Sequence, residues 1–216
     1  MPNYSHILLT AFGPAIRFNA KNLPDVCNID DEALLNLCGG IPVANVQGFR
    51  MEITLQSSCI YEVAVYCDAF YVNRTIDFNS QEIINNYMRV RTEGHGTGTE
   101  LFINQVEYAQ VLQFNMIQVI ATGPEDGFTG HRKWGRLGFN MSDMDMPDFQ
   151  LWCTRFKFVQ ANLFDLLQTE GGYKFWTEMG FSWLGTFDLG AGSICLQRLD
   201  MYLEELKQKG IRQTDV

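Results

Sequence analysis

Positive charge is scarce in this chain: 16 Lys and Arg stand against 25 Asp and Glu, a formal net charge of −9. That balance argues against a nucleic-acid binder held by general electrostatics, which needs clustered cations. It suits a cationic substrate such as an amine, although a solvated acidic surface is the commoner reason for such a balance. Histidine is rarer still, at three residues (His6, His95, His131). The six cysteines (Cys27, Cys38, Cys59, Cys67, Cys153, Cys195) form no CxxC pair, so the spacing of a structural zinc site is missing. Cys59 and Cys67 lie in apolar, strand-like sequence and read as small buried hydrophobes. No apolar run has membrane-spanning length and the first residues do not read as a signal peptide. The expectation is a cytoplasmic protein with free thiols and no membrane partner. Charged residues make up only 19% against 46% hydrophobic, which excludes a disordered chain and predicts a packed core.

Punctuation and periodicity organise what is present. Ile7 to Phe12, closed by Gly13-Pro14, suggests a first strand, and Ala33 to Cys38, between acidic residues and Gly39-Gly40, a short helix. From Phe49 the period is two: Phe49, Met51, Ile53 and Leu55 alternate with Arg50, Glu52, Thr54 and Gln56. Runs 60–66, 70–78 and 83–90 continue an antiparallel meander. A helix at about 98–113 carries Leu101, Phe102, Val106, Ala109 and Leu112 on one face. Met116 to Thr122 is short, apolar and closed by Gly123, as a central strand is. Strand, turn, helix and strand together predict a βαβ unit with parallel strands in an α+β domain. Beyond it lie a basic aromatic segment (127–139) and a Met-Asp loop (141–148) closed by Pro147. A helix over 149–168, stopped by Gly171-Gly172, and a short aromatic helical piece (173–179) follow. A last helix, about 193–207, has Ile194, Leu196, Leu199, Leu203 and Leu206 near helical spacing. Tyr173, Phe175, Trp176, Phe181 and Trp183 read as core or interface rather than a ligand box.

The chemistry centres on Val90-Arg91-Thr92-Glu93-Gly94-His95-Gly96-Thr97-Gly98-Thr99. Glycines at 94, 96 and 98 permit positive φ and keep Cβ atoms away from a ligand. Successive N–H groups at a helix start make a cradle for an anion such as a pyrophosphate. A turn of this kind also serves simply to let a helix pack closely on a sheet, and both readings stand. There is no Gly-Lys-Ser/Thr for a P-loop, and Thr99 stands where the dinucleotide pattern needs its last glycine.

In order of parts the chain resembles the GNAT superfamily of acyl-CoA-dependent N-acyltransferases. The resemblance rests on the strand ending at Val90, Gly96-Thr97-Gly98-Thr99-Glu100-Leu101-Phe102, the strand 116–122, and Trp134-Gly135-Arg136-Leu137-Gly138-Phe139, roughly residues 49 to 139. It implies a GNAT-like mixed, largely antiparallel sheet, with residues 1–140 as the acyl-CoA-binding domain and 141–216 as a helical extension packed on it. It further implies acetyl-CoA or coenzyme A as acyl donor, held by Val90, Arg91, Gly94, His95, Gly96, Thr97, Gly98 and Thr99. The pantetheine arm would enter a splay between the strands flanking the helix, and a backbone N–H near Met88–Val90 would be the oxyanion donor. The partner would be a small-molecule or peptide amine, and a homodimer is the assembly to test. Glu93 stands where Gln or Arg is usual, and a carboxylate repels a pyrophosphate. Trp134 stands where a tyrosine often protonates the leaving thiolate, and indole is no acid near neutral pH. No catalytic residue is assigned. Glu52, Glu62, Asp68, Asp77 and Glu82 are the carboxylates available as a base, each with surface solvation as its plain alternative. His131-Arg132-Lys133 reads as a charged face beside a core aromatic, with a coenzyme 3′-phosphate contact as the other reading. A non-catalytic binding or assembly module of the same fold is the second reading of the chain.

Overall fold

The computed structural model describes residues 16–18, 50–57, 59–66, 70–91 and 97–208. The strand expected at 7–12, the helix at 33–38, and Cys67 and Asp68 lie outside them. The described residues hold eight strands, mostly antiparallel, and six α-helices, the mixed α+β class expected. The chain divides into two compact units, the second being Met116–Gln208. The boundary expected at 140 falls inside that second unit.

In the first unit, β1 (Ile16–Phe18) runs parallel to β2 (Arg50–Ser57). β3 (Ile60–Tyr66), β4 (Phe70–Asp77) and β5 (Glu82–Val90) extend the sheet antiparallel, in chain order. Period-two patterning does what it should: Met51, Ile53, Val63, Val65, Val72, Ile76 and Ile83 are all buried on one face. The β2–β3 turn sits at Cys59, which has φ 62° and is half-buried. A turn position explains why it is not the core hydrophobe its neighbours suggested. At the β4–β5 turn, Asp77 Oδ1 accepts from the backbone N–H of Asn79 (2.8 Å) and Ser80 (3.3 Å).

Helix α1 (Thr97–Val111) buries Leu101, Phe102, Val106 and Ala109, the stripe its spacing predicted. Both its ends are tied to β5. At its start a Cβ on Gly98 would lie 3.5 Å from Val90 Cγ2 and 3.7 Å from Met88 Cε. Just past its end the backbone N–H of Asn115 donates to the carbonyl of Gln81 at 2.8 Å. Helix and strand therefore run antiparallel, side by side.

In the second unit, β6 (Met116–Ala121) pairs antiparallel with β8 (Trp183–Asp188), which also pairs with the two-residue β7 (Asn140–Met141). The segment after 140 is thus not wholly helical. Gly185 hides β8 in the sequence; a Cβ there would stand 2.7 Å from Val119 Cγ2, so close packing needs the glycine. The basic segment contains α2 (Gly130–Arg136). The Met-Asp loop ends earlier than expected, because Pro147 opens α3 (Met146–Phe156) instead of closing the loop. Proline lacks only an N–H that the first helical turn cannot use. The expected 149–168 helix breaks at Lys157 (φ 62°) and resumes as α4 (Leu163–Leu167), with Asn162 Oδ1 accepting from Asp165 N at 3.0 Å. Gly171 and Gly172 do not stop a helix; they lie inside α5 (Glu170–Met179), capped by Thr169. Helix α6 (Ile194–Gln208) turns Cys195, Arg198, Leu199, Tyr202 and Leu206 inward. That face is rotated from the expected one, and Ile194 is exposed.

Candidate functional site

Gly94, His95 and Gly96 lie outside the described residues. The structure does describe the two elements that carry the turn, and it brings Val90 and Gly98 together across them. Val90 is half-buried, Arg91 exposed, and Thr97 and Gly98 half-buried. Thr99 is buried, so the group it can offer a ligand is its backbone N–H. The first N–H groups of α1 have no acceptor within the helix and form the positive end of its dipole. Packing does not require glycine at 98: its backbone is not left-handed, and the nearest atoms to an added Cβ are at ordinary van der Waals distance.

β5 carries a bulge. Asn73 pairs with Tyr87 but Arg74 pairs with Asn85, so Asn86 is the extra residue. From Tyr87 onward the register has slipped by one, which puts Met88 and Val90 on the face that carries Ile83 and Asn85. An extra residue of this kind re-aims side chains and leaves backbone groups outside the ladder. Here it sits beside the Met88–Val90 stretch expected to supply an oxyanion donor.

The two faces of the bulge differ in chemistry. On the α1 side, Asn85 and Gln105 exchange two hydrogen bonds, Asn85 Nδ2 to Gln105 Oε1 at 2.9 Å and Gln105 Nε2 to Asn85 Oδ1 at 3.1 Å. Both side chains are buried, and Arg74 beside them is 1% exposed. On the other face Glu62 accepts from Gln56 Nε2 (2.6 Å) and Asn73 Nδ2 (2.8 Å). Asn86 Nδ2 in turn donates to Asn73 Oδ1 and Thr75 Oγ1, each at 2.9 Å. A chain of amides thus links one carboxylate to the bulge. Of the carboxylates named from the sequence, Glu62 is tied to the bulge in this way, whereas Asp77 is spent on its turn. Partial burial raises the Asp77 pKa, but the hydrogen bonds from Asn79 and Ser80 outweigh it and hold the carboxyl below its ordinary value.

Beside that chain, Tyr66 stacks on Tyr71 (centroids 4.8 Å) and Tyr71 tilts against Tyr87 (5.5 Å). Burial, then the Tyr66 hydroxyl, push the Tyr71 phenol above its ordinary pKa, so it holds its proton at neutral pH. This ladder and the amide chain escaped the sequence reading. The available signal was the i, i+2 spacing of Tyr71, Asn73 and Thr75, which puts them on one face of a strand.

In the second unit, His131 is in the core rather than on a charged face. Its ring Nε2 is 3.2 Å from the carbonyl of Trp176, and its own carbonyl accepts from the indole N–H groups of Trp176 (3.1 Å) and Trp183 (3.0 Å). Burial lowers its pKa below the ordinary value and outweighs the nearby carbonyls that raise it. Arg132 donates to Tyr173 Oη at 2.9 Å. Arg136 pairs with Glu205 at 2.9 Å and lies over the Tyr202 ring at 4.8 Å. Trp134 is buried against Phe139, ring centroids 5.2 Å apart. Of the aromatic patch expected as core or interface, Trp176 and Trp183 are buried, and Tyr173, Phe175 and Phe181 are half-buried. Among the described residues no cluster of His, Cys, Asp and Glu is arranged to hold a metal ion, and no helix is long and apolar enough to cross a membrane.

No protein-family profile and no curated protein sequence matches this chain. Among solved structures, nourseothricin acetyltransferase aligns with it at 14% identity and a TM-score of 0.36. The alignment covers 61% of this chain and 66% of that one, just under two thirds of its length. A likeness of that size says nothing about activity, which has to be argued from the bulged strand, the helix start and their neighbours.

Proposed function

We propose that this chain is an acyl-CoA-dependent N-acyltransferase that moves an acetyl group from acetyl-CoA to an unidentified amine. The observation that carries the reading is the pairing of bulged β5 with the start of α1. A strand end that stays paired with β4 through Val90, with Asn86 as the extra residue outside the ladder, lies against a helix start whose glycine is not needed for packing. In this reading the N–H groups of Gly96, Gly98 and Thr99 hold the pyrophosphate, with Arg91 at the exposed edge, and a Met88–Val90 N–H meets the developing oxyanion. The amine gives up its proton, its nitrogen bonds to the thioester carbonyl carbon, and the tetrahedral species collapses with loss of the coenzyme thiolate. Glu62, linked through Asn73 to the bulge, is the carboxylate we assign to receive the amine proton, directly or through water. Tyr71 supplies a protonated phenol on the same face.

Isothermal titration of acetyl-CoA and coenzyme A, against wild type and Gly96→Val/Gly98→Val, tests the cofactor assignment. Micromolar binding lost in the variant supports it; no heat and no thermal shift at millimolar ligand sinks it. A second reading, a non-catalytic module of the same fold, is favoured by Trp134, which is built into the core and cannot donate a proton, and by Glu93 in the turn. It is separated by testing coenzyme A release with a panel of amines once binding is established.

A further inference from the structure

The second unit contains a cleft of about 460 Å³ between α4, α6 and the β7–β8 edge. Such a volume falls in the ordinary range for small-molecule sites. Its lining is mixed: the buried Phe139, Met141, Leu163 and Phe164 stand beside Asn140, Ser142, Asn162 and Thr186, and Arg198 of α6 joins them. Arg198 is 9% exposed, an unusual place for a guanidinium. It donates to Asn140 Oδ1 and lies 5.0 Å over the ring of Phe164. Among the described residues it forms no ion pair and has no other hydrogen-bond acceptor. Burial lowers its pKa, and the acidic groups that counter this, Cys195 and Asp165, act only at a distance. An arginine stays charged in any such setting.

A cation held this way is costly to the fold, since a buried charge needs a partner and one neutral amide is a poor substitute. Arg198 borders the cleft, as do the two residues it contacts, Asn140 and Phe164. A guanidinium offers N–H pairs in a fixed planar fork, whose complement is a carboxylate. The apolar part of the lining, Phe164 and Met141 among it, matches a compact hydrocarbon body behind that carboxylate. Asp143 also lines the cleft but is exposed, so its charge is screened by solvent at the mouth.

We infer that this cleft binds a small organic carboxylate with an apolar body, its acid group on the guanidinium of Arg198 and its body against Phe164 and Met141. This site shares no residue with the proposed coenzyme cradle and stands whether or not that reading holds.

The test is a titration of the whole protein with sodium benzoate, its neutral isostere benzamide, and inorganic phosphate, followed by two-dimensional NMR. Benzoate is expected to shift the Asn140, Phe164 and Arg198 amides saturably, with benzamide and phosphate each at least tenfold weaker. Arg198→Gln is expected to weaken benzoate at least tenfold, and so is Met146→Trp, which fills the cleft and leaves the guanidinium in place. If Arg198→Gln does not fold, Met146→Trp decides alone. Absent or unsaturable benzoate shifts, equal binding of benzamide or phosphate, or unchanged affinity in the folded variants would overturn the inference.

Discussion

Replacing Asn85 by Leu, Gln105 by Met, and both together probes the joint on which the proposed cradle depends. The two amides are buried and satisfy each other at 2.9 and 3.1 Å, tying β5 to the middle of α1. Removing either one leaves the other with a buried donor and a buried acceptor unpaired. Each orphaned group costs about 1–3 kcal/mol, so each single variant, which orphans two, should lose about 2–6 kcal/mol. The double variant loses the hydrogen bonds but orphans nothing, and apolar side chains of similar shape regain some packing. Its loss should be no larger than that of either single change, which makes the coupling at least about 2 kcal/mol. Native-state amide exchange of α1 reads the local free energy directly, and urea unfolding followed by circular dichroism gives the global value. Additive losses would refute the reasoning, because they would mean the amides do not depend on each other.

Gly98→Ala should leave thermal stability unchanged or raise it, by at most about 1 kcal/mol, since the new Cβ meets only ordinary contacts. It should nevertheless weaken coenzyme A binding if the glycine is there for the ligand, and titration of the folded variant checks both halves. Gly172→Ala should destabilise the second unit by about 1–3 kcal/mol, because its Cβ would lie 2.3 Å from the carbonyl oxygen of Leu166. Thermal unfolding followed by tryptophan fluorescence measures it. His131 is kept neutral in the core, with its folded pKa below the ordinary 6.5. Below that value the unfolded chain takes up a proton that the folded one refuses. Stability present above about pH 6.5 should therefore fall as the pH drops towards the folded pKa. Urea midpoints between pH 7.5 and 5 should show that decline, and a folded His131→Gln variant should show less of it.

The sequence was most legible where one face is buried and periodicity is set by burial. Residues 50–90 alternate because the sheet does, and α1 follows its apolar stripe from Leu101 to Ala109. It was least legible where a polar side chain is buried or a glycine has a packing role. Asn85, Gln105, Arg74 and His131 look like surface residues until their partners, twenty or more positions away for the two amides and the histidine, are known. Gly185 interrupts an otherwise readable strand because a Val119 methyl occupies the space of its side chain. Gly172 resembles a helix stop, whereas the punctuation was in Asn162 and Thr169, whose side chains cap the following helices. Helix α6 shows a third limit: its buried stripe includes Arg198 and Tyr202, so counting leucines alone turned the face. Of the site, the strand end and helix start were visible in the glycine spacing. The bulge at Asn86 was not, because a single inserted residue leaves the composition of β5 unchanged and shows only in the pairing with β4.

The most direct test of the cradle is a titration of the isotope-labelled protein with coenzyme A, followed by two-dimensional ¹⁵N–¹H NMR. A coenzyme held at this turn should give saturable shifts centred on the amides of Val90, Gly94, Gly96, Gly98 and Thr99, at micromolar ligand, and their loss in Gly96→Val/Gly98→Val. Unmoved amides at millimolar coenzyme A, or shifts confined to residues 116–208, would contradict it.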